Sequence, residues 1–335
     1  MITSMALSPM PTMSHAVAAL IPLHSNEKEP FLPCERRGGG RLIIFLAPLG
    51  LVNIILLGCI CFLKVHVISR NVVLAAVAHV DAPTSFMSLQ EAEVIVLRTY
   101  PLGEADRIAV LFSRGFGKLR GVARGARRPK SRFGSTLEPL SRSRVWFYER
   151  ETRELVRLSQ AELIESFVEL QNDYSLNLAL SYLAEVSDAL LPDREVSDPE
   201  YRLLLMVLAA MKQTRQPWLP LTYFRLWMTR LAGWLPNFDL CGRCRASLQA
   251  SPAFAHPVRG KIACIRCRVP GMRSLRALSL DRAREMLGHP LAKLDWRGWT
   301  RTTSSDLDAF LDDVIEHHIE RKLRTRALIS ALENS

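Results

Sequence analysis

Cys241-Gly-Arg-Cys244 is followed, after nineteen residues, by Cys264-Ile-Arg-Cys267, and this spacing is the strongest structural signal in the chain. Two cysteines three positions apart on a tight turn can bind one metal ion together, and a second such pair completes a tetrahedral shell. Because four thiolates leave no position for water or substrate, we expect a structural site for one zinc ion. The alternative is four reduced or disulfide-paired cysteines. His256 lies between the pairs but is not needed as a ligand.

The N-terminal segment up to residue 86 differs in character from the rest of the 335-residue chain. Residues 42–63 are uncharged and apolar with bases on both sides, which taken alone predicts a membrane span. A strand-like pattern begins directly after Met87, and a secretory signal would carry the zinc cysteines to a compartment where disulfides compete with metal. We therefore expect translation to start at Met87 and residues 1–86 to be a mis-annotated leader from an over-extended gene model, with a genuine membrane anchor as the alternative.

Basic residues are concentrated in two regions of the chain. The formal charge is +11, and removing the six bases and four acids of the leader from totals of 44 and 33 leaves 38 bases and 29 acids. Between Ser113 and Arg144, ten bases accompany Glu138 as the sole acid, and residues 241–276 hold eight bases and no acid. This distribution favours a polyanionic partner.

Residues 93 to about 165 show short strand patterns separated by Gly and Pro. Five strands in so short a stretch predict a small β-barrel. The turn Arg114–Gly117 suits a hairpin because glycine accepts positive φ, and its G-x-G lacks the third glycine and the helix of a dinucleotide loop. The predicted strands are Glu93–Arg98, Arg107–Ser113, Lys118–Ala123, Arg144–Arg150 and Leu155–Leu158.

Helical periodicity begins after Glu169. Apolar residues at three-to-four spacing end before Pro192, and a second helical run opens at Pro199. Three further helices are predicted at about Leu219–Gly233, Asp281–Leu287 and Asp306–Leu332.

The last of these predicted helices carries a continuous apolar stripe with Ser304 or Ser305 as its cap. On this stripe we expect His318 to pack in the core and His317 to face solvent. Four bases in its final turns are expected to complement the helix dipole in solvent rather than bind a ligand. These bases are Arg321, Lys322, Arg324 and Arg326.

Residues 120–134, within the first of these two basic regions, have the composition of a nucleic-acid-binding loop. Its bases lie on a strand and then on a loop broken by Gly and Pro, where side chains can spread toward successive phosphates. Aromatic residues are interleaved, and on a strand Trp146 and Tyr148 share the face opposite Phe147, so that one face packs the barrel and the other either stacks bases or is covered by a helix. A solvated charged surface is the alternative. The candidate DNA-binding residues are Arg120, Arg124, Arg127, Arg128, Lys130 and Arg132.

No catalytic motif is recognisable after Met87. The sequence lacks the patterns of zinc proteases, serine hydrolases, Walker A loops and paired-aspartate nucleases, and every cysteine there belongs to the metal set. We therefore expect a protein that is not an enzyme.

Several stretches resemble the RecO family of bacterial DNA repair and recombination mediators, over essentially the whole chain from Met87 onward. The resemblance is carried by Y-P-L-G-E-A-D-R at 100–107, G-A-R-R-P-K-S-R-F-G at 125–134, F-R-L at 224–226, G-W-L-P-N-F-D-L-C-G-R-C at 233–244 and the segment 316–326. It implies a multi-domain α+β protein with an N-terminal OB-fold β-barrel, then an α-helical domain with an embedded four-cysteine zinc module. The corresponding domains are 87–166 for the OB-fold, 167–240 and 277–335 for the helical domain, and 241–276 for the zinc module.

The resemblance also implies a function. Proteins of this family bind single- and double-stranded DNA, anneal complementary strands, and join RecR in placing RecA on DNA coated by single-strand-binding protein, whose acidic C-terminal tail they recognise. This implies a cytoplasmic, nucleoid-associated protein that does not need a membrane. The alternative is a zinc-stabilised scaffold whose basic surface binds RNA or anionic lipid, anchored through residues 42–63 if the leader is genuine.

Overall fold

The structure, a computed structural model, describes residues 42–46, 52–56, 88–149, 154–249 and 251–331. Strands β1 (Leu42–Leu46) and β2 (Val52–Leu56) form an antiparallel pair inside the apolar stretch 42–63. The rest of the expected leader, and Met87 as its boundary, lie outside the described residues. Within the described ranges, no helix is long and apolar enough to cross a membrane.

Five strands close into a barrel, as the strand patterns predict. The first strand pairs with both the second and the fourth, and the third and fifth strands run parallel. The order around the barrel is first, second, third, fifth, fourth, which is the arrangement of an OB-fold. The strands are β3 (Leu89–Leu102), β4 (Asp106–Ser113), β5 (Gly117–Ala123), β6 (Arg142–Tyr148) and β7 (Leu155–Glu165).

Alternation along the strands fills the barrel interior. Val94, Leu111 and Phe147 are fully buried there, as expected for side chains that point to one face of a sheet. The connection between β5 and β6 contributes Phe133 and Leu137 to the same core. The interior of the barrel is therefore a packed apolar core.

Helices cover the outside of the first two barrel strands. Ile95 and Phe112, which point away from the barrel centre, belong to the apolar core of the helical domain, and α1 packs on β3. This burial on both faces explains the nearly continuous apolar run in β3. The helices are α1 (Tyr174–Leu190), α2 (Asp198–Thr214), α3 (Trp218–Leu231), α4 (Ala277–Gly288), α5 (Ser305–His318) and α6 (Arg324–Ala331).

The single long helix predicted over Asp306–Leu332 is wrong. The chain leaves helical geometry after His318, Glu320 has a left-handed φ of 54°, and a separate helix starts at Arg324. The cause is tertiary, because the carboxylate of Glu185 accepts the backbone N–H groups that start α6. The predicted cap position is correct at Ser304, but the hydroxyl of Ser304 lies 3.3 Å from that of Thr222 and does not cap the helix.

Two predictions about side chains in this segment are also wrong. His318 is exposed rather than buried, and its ring stacks on Trp234 with 3.9 Å between centroids. The bases of the segment do not simply complement a helix dipole, since Arg321 pairs with buried Glu185 and Lys322 pairs with buried Glu316. Arg326 also pairs with Glu316, and Arg324 donates its backbone N–H to Glu185.

The cysteine-containing module is a three-stranded sheet inserted between α3 and α4. Its strands are β8 (Ala253–His256), β9 (Lys261–Ala263) and β10 (Arg273–Leu275), with β8 in the centre. Arg273 at 2.5 Å from Asp313 and Arg276 at 2.7 Å from Asp306 tie the module to α5. The module is thus held on the helical domain by charge-assisted contacts as well as by apolar packing.

Candidate metal centre and nucleic-acid interface

The four cysteines converge on one point. Their Sγ atoms all lie within 4.8 Å of one another, and the Sγ atoms of Cys244 and Cys264 are 3.7 Å apart. Each pair of cysteines sits on a tight turn that a backbone hydrogen bond closes. In the first turn the N–H of Arg245 donates to the carbonyl of Cys241, and in the second the N–H of Cys267 donates to the carbonyl of Cys264. We call these two turns the knuckles. The backbone N–H of Gly242 donates to the Ile262 carbonyl, which fixes the first knuckle beside β9.

The ionisation of these thiols indicates that the cluster suits a cation. Burial raises the pKa of Cys241, but hydrogen bonds from backbone N–H groups of the knuckles outweigh burial and lower that pKa to about 6. The neighbouring Cys244 sulfur is the main reason that the pKa of Cys267 rises to about 12. Four sulfurs in so small a space cannot all be thiolates unless a cation offsets their charge. The residues therefore fit one metal ion.

His256 does not take part in this cluster. Its Nδ1 accepts a hydrogen bond from the backbone N–H of Val258 at 3.2 Å, inside the hairpin that joins β8 to β9. The group of four sulfurs is complete without it.

The loop that follows β5 is fixed at its base. Gly125, with a φ of 72°, donates its backbone N–H to the Asp106 carboxylate at 2.8 Å. The backbone N–H of Arg127 donates to the Ala105 carbonyl at 2.9 Å, and buried Phe133 ends the loop in the barrel core. We call residues 124–132 the basic loop. Its backbone is held at both ends, so its side chains project from a defined frame.

All five bases of the basic loop are exposed and have no carboxylate partner among the described residues. Arg127 differs from the other four only in that its guanidinium donates to the Gly103 carbonyl at 2.8 Å. Arg120 lies on β5 rather than on the loop, and it pairs with Asp193 at 3.7 Å. The other four bases of the loop are Arg124, Arg128, Lys130 and Arg132.

Outside the basic loop, several other bases between Ser113 and Arg144 are neutralised by acids distant in sequence. Arg114 pairs with Asp198 at 2.6 Å, and the nearly buried Lys118 lies 3.2 Å from Asp193. Arg142 and Arg144 pair with glutamates of the neighbouring strand β3. The charge excess seen along the sequence is therefore concentrated, in three dimensions, on the basic loop.

The aromatic residues divide between core and surface. Phe133 is buried, and Phe116 packs edge-on against Phe147, which leaves neither free to stack on a base. Trp146 and Tyr148 are half-buried on the outer face, where the Trp146 indole donates to Glu91 at 3.1 Å.

A buried ionic cluster between α3 and α5 was not foreseen from the sequence. Arg225 is 3% exposed and donates to Asp312 at 2.9 Å, and the hydroxyl of Tyr182 donates to the same carboxylate at 2.5 Å. Asp308 lies 3.3 Å from Arg225, and burial raises the pKa of Asp308 to about 6. A cavity of about 460 Å³ lies beside this cluster. The arginine within the F-R-L stretch was the available signal, since a charged residue in an apolar helix face needs a buried partner.

Comparison with known proteins agrees with this architecture. Residues 87–167 match the family model described as Recombination protein O N terminal, and residues 171–327 match Recombination protein O C terminal. The chain is 41% identical over 245 residues to the DNA repair protein RecO of Koribacter versatilis, covering 73% of this chain and all of that protein. It is 30% identical over 254 residues to the DNA repair protein RecO of Symbiobacterium thermophilum, covering 74% of this chain and all of that protein. Because both family models match, the chain belongs to the RecO family of DNA repair proteins.

Proposed function

We propose that this chain is a non-enzymatic mediator of DNA repair and recombination that binds single- and double-stranded DNA and anneals complementary strands. The observation that carries the proposal is the basic loop, where Arg124, Arg128, Lys130 and Arg132 are exposed without carboxylate partners among the described residues. Arg120 and Arg127 join this surface in the proposal, although each already has a contact within the protein.

The physical basis of annealing is charge neutralisation. Two phosphate backbones repel each other, and a basic surface that contacts both lowers the repulsion that opposes pairing. Each phosphate that a base neutralises releases counterions, so the affinity should fall steeply with salt. No step of this kind requires nucleotide hydrolysis.

The proposed partners follow from family membership. They are RecR, the C-terminal tail of single-strand-binding protein and, indirectly, RecA, in a cytoplasmic and nucleoid-associated setting. The proposed cofactor is one structural Zn²⁺ on Cys241, Cys244, Cys264 and Cys267, which fits the four-sulfur donor set. The domains in this proposal keep the limits 87–166, 167–240 with 277–335, and 241–276.

The test is fluorescence-monitored annealing of complementary oligonucleotides over a salt series. The loop variant replaces Arg124, Arg128, Lys130 and Arg132 with Gln, which removes charge and keeps a polar side chain at each position. We expect annealing by the unaltered protein to be salt-sensitive and to be lost in this variant. A folded, zinc-loaded protein that does not anneal DNA would contradict the proposal and favour the scaffold alternative.

A further inference from the structure

The zinc module carries a second concentration of positive charge. Residues 241–276 contain eight bases and no acid. Arg273 and Arg276 form ion pairs with α5, and the Arg268 guanidinium lies over the Phe254 ring, 5.4 Å from its centroid. The other five are exposed and have no carboxylate partner in the part of the chain that the structure describes. We call them the knuckle surface, formed by Arg243, Arg245, Arg259, Lys261 and Arg266.

The fold of the module places three of these bases on or beside the two knuckles. Arg243 and Arg266 each lie between the two cysteines of a knuckle, and the knuckles meet at the four-sulfur cluster. Lys261 starts β9, which the hydrogen bond from Gly242 to Ile262 fixes beside the first knuckle. The bases are therefore presented on short, braced turns rather than on a free tail.

The charge balance of the module remains positive when a metal is bound. A zinc ion with four thiolates has a formal charge of minus two, which offsets two of the eight bases. Ile265, beside Arg266 in the second knuckle, is 62% exposed. An exposed apolar side chain among cations suits the face of an unpaired base better than the edge of a duplex.

We propose that the knuckle surface is a second binding site for single-stranded nucleic acid, so that one chain can hold two strands, one on the basic loop and one on the zinc module. This inference rests on the proposed function. It gives annealing a simple geometry, because both strands are bound by one molecule before they pair.

The test counts oligo-dT strands per protein chain by native mass spectrometry, using strands that cannot pair with each other. The knuckle variant is Arg243→Gln with Arg266→Gln. The matched control is Lys293→Gln with Arg297→Gln, which removes the same charge from exposed bases that also lack a carboxylate partner among the described residues. Zinc content and thermal melting confirm that both variants are folded.

We expect two strands per chain for the unaltered protein and the control, and one strand for the knuckle variant. The loop variant should likewise keep one strand, held by its intact knuckle surface. Two strands on the knuckle variant, or a single strand on the unaltered protein, would overturn this inference and leave the proposed function intact. A protein that binds no DNA would overturn both.

Discussion

Glu185 of α1 accepts hydrogen bonds from Thr325 of α6 through both the backbone N–H, at 3.0 Å, and the hydroxyl, at 2.7 Å, although the residues are 140 positions apart. The same carboxylate accepts the backbone N–H of Arg324 and pairs with Arg321. Burial raises the pKa of Glu185, but these hydrogen bonds outweigh it and the pKa is lowered overall. One buried carboxylate therefore fixes the start of α6.

Replacing Glu185 with Gln should release α6. An amide oxygen can accept only part of this set, and its NH₂ group would face N–H donors, so we expect a loss of about 1–3 kcal/mol in the free energy of unfolding. Hydrogen exchange across residues 324–331 measures the local effect. The control is Glu104→Gln, at an exposed site. Unchanged protection of α6 would contradict this role.

Gly117 and Gly115 provide a matched pair of substitutions in one turn. Gly117 has a φ of 65°, and a Cβ there would overlap the backbone carbonyl of Glu195. A Cβ on Gly115 would meet nothing within 4 Å, and the φ of Gly115 is not in the left-handed region. We expect Gly117→Ala to cost about 2 kcal/mol or more and Gly115→Ala to be nearly neutral, as measured by urea denaturation. Equal effects would show that the contact with Glu195 is not maintained in solution.

The sequence predicted the elements whose structure depends mainly on residues close together in the chain. The barrel strands alternate or run apolar, and the spacing of the cysteines permits only a small set of turns, so both could be predicted from the sequence. The strands β3 and β7 extend beyond their predicted limits because each pairs with its two neighbours along different parts of its length. β6 pairs with residues 89–95 of β3 and β4 with residues 94–102, and β5 pairs with residues 155–158 of β7 and β6 with residues 157–165.

Contacts between distant residues account for what the sequence did not predict. The apolar stripe of the last predicted helix continues past the break at Glu320, and only the position of Glu185 explains why α6 starts anew. Charge counted along the chain likewise could not show that Asp193 and Asp198 neutralise Lys118 and Arg114.

Cys264→Ser should remove the metal and destabilise the zinc module. The binding free energy of a structural zinc ion is folding free energy, so we expect a lower melting temperature and less than one zinc per chain. The control is His256→Gln, which changes a possible metal ligand of the same module that lies outside the set of four. Full zinc content with unchanged melting of Cys264→Ser would contradict a structural role for the site.

The two environments of the loop and strand bases predict different salt dependence for DNA binding. Arg124 is exposed without a carboxylate partner among the described residues, whereas Arg120 lies 3.7 Å from Asp193. Arg124→Gln should reduce the slope of log affinity against log salt by about 0.7 on single strands, and Arg120→Gln should reduce it less. Titrations by fluorescence anisotropy compare the two variants. A larger effect for Arg120 would place the DNA along β5 instead of along the basic loop.

Asp308 should make the protein less stable as the pH rises. Burial raises its pKa to about 6, above the value of 3.8 for a free carboxyl, so the folded state binds more protons than the unfolded state between these limits. The stability therefore falls as the pH rises from about 4 to 6, by roughly 2–3 kcal/mol. Asp308→Asn removes this ionisation, while Arg225 keeps its contact with Asp312.

The Asp308→Asn variant should thus nearly match the unaltered protein around pH 4, where both side chains are neutral in the folded state, and become more stable than it above pH 6. Urea unfolding at several pH values measures the difference, with the exposed Glu320→Gln as the control. Parallel pH profiles for Asp308→Asn and the unaltered protein would mean that Asp308 ionises as an exposed carboxyl does. In that case the 3.3 Å approach of Arg225, and not burial, would govern its charge, because a nearby cation favours the ionised form.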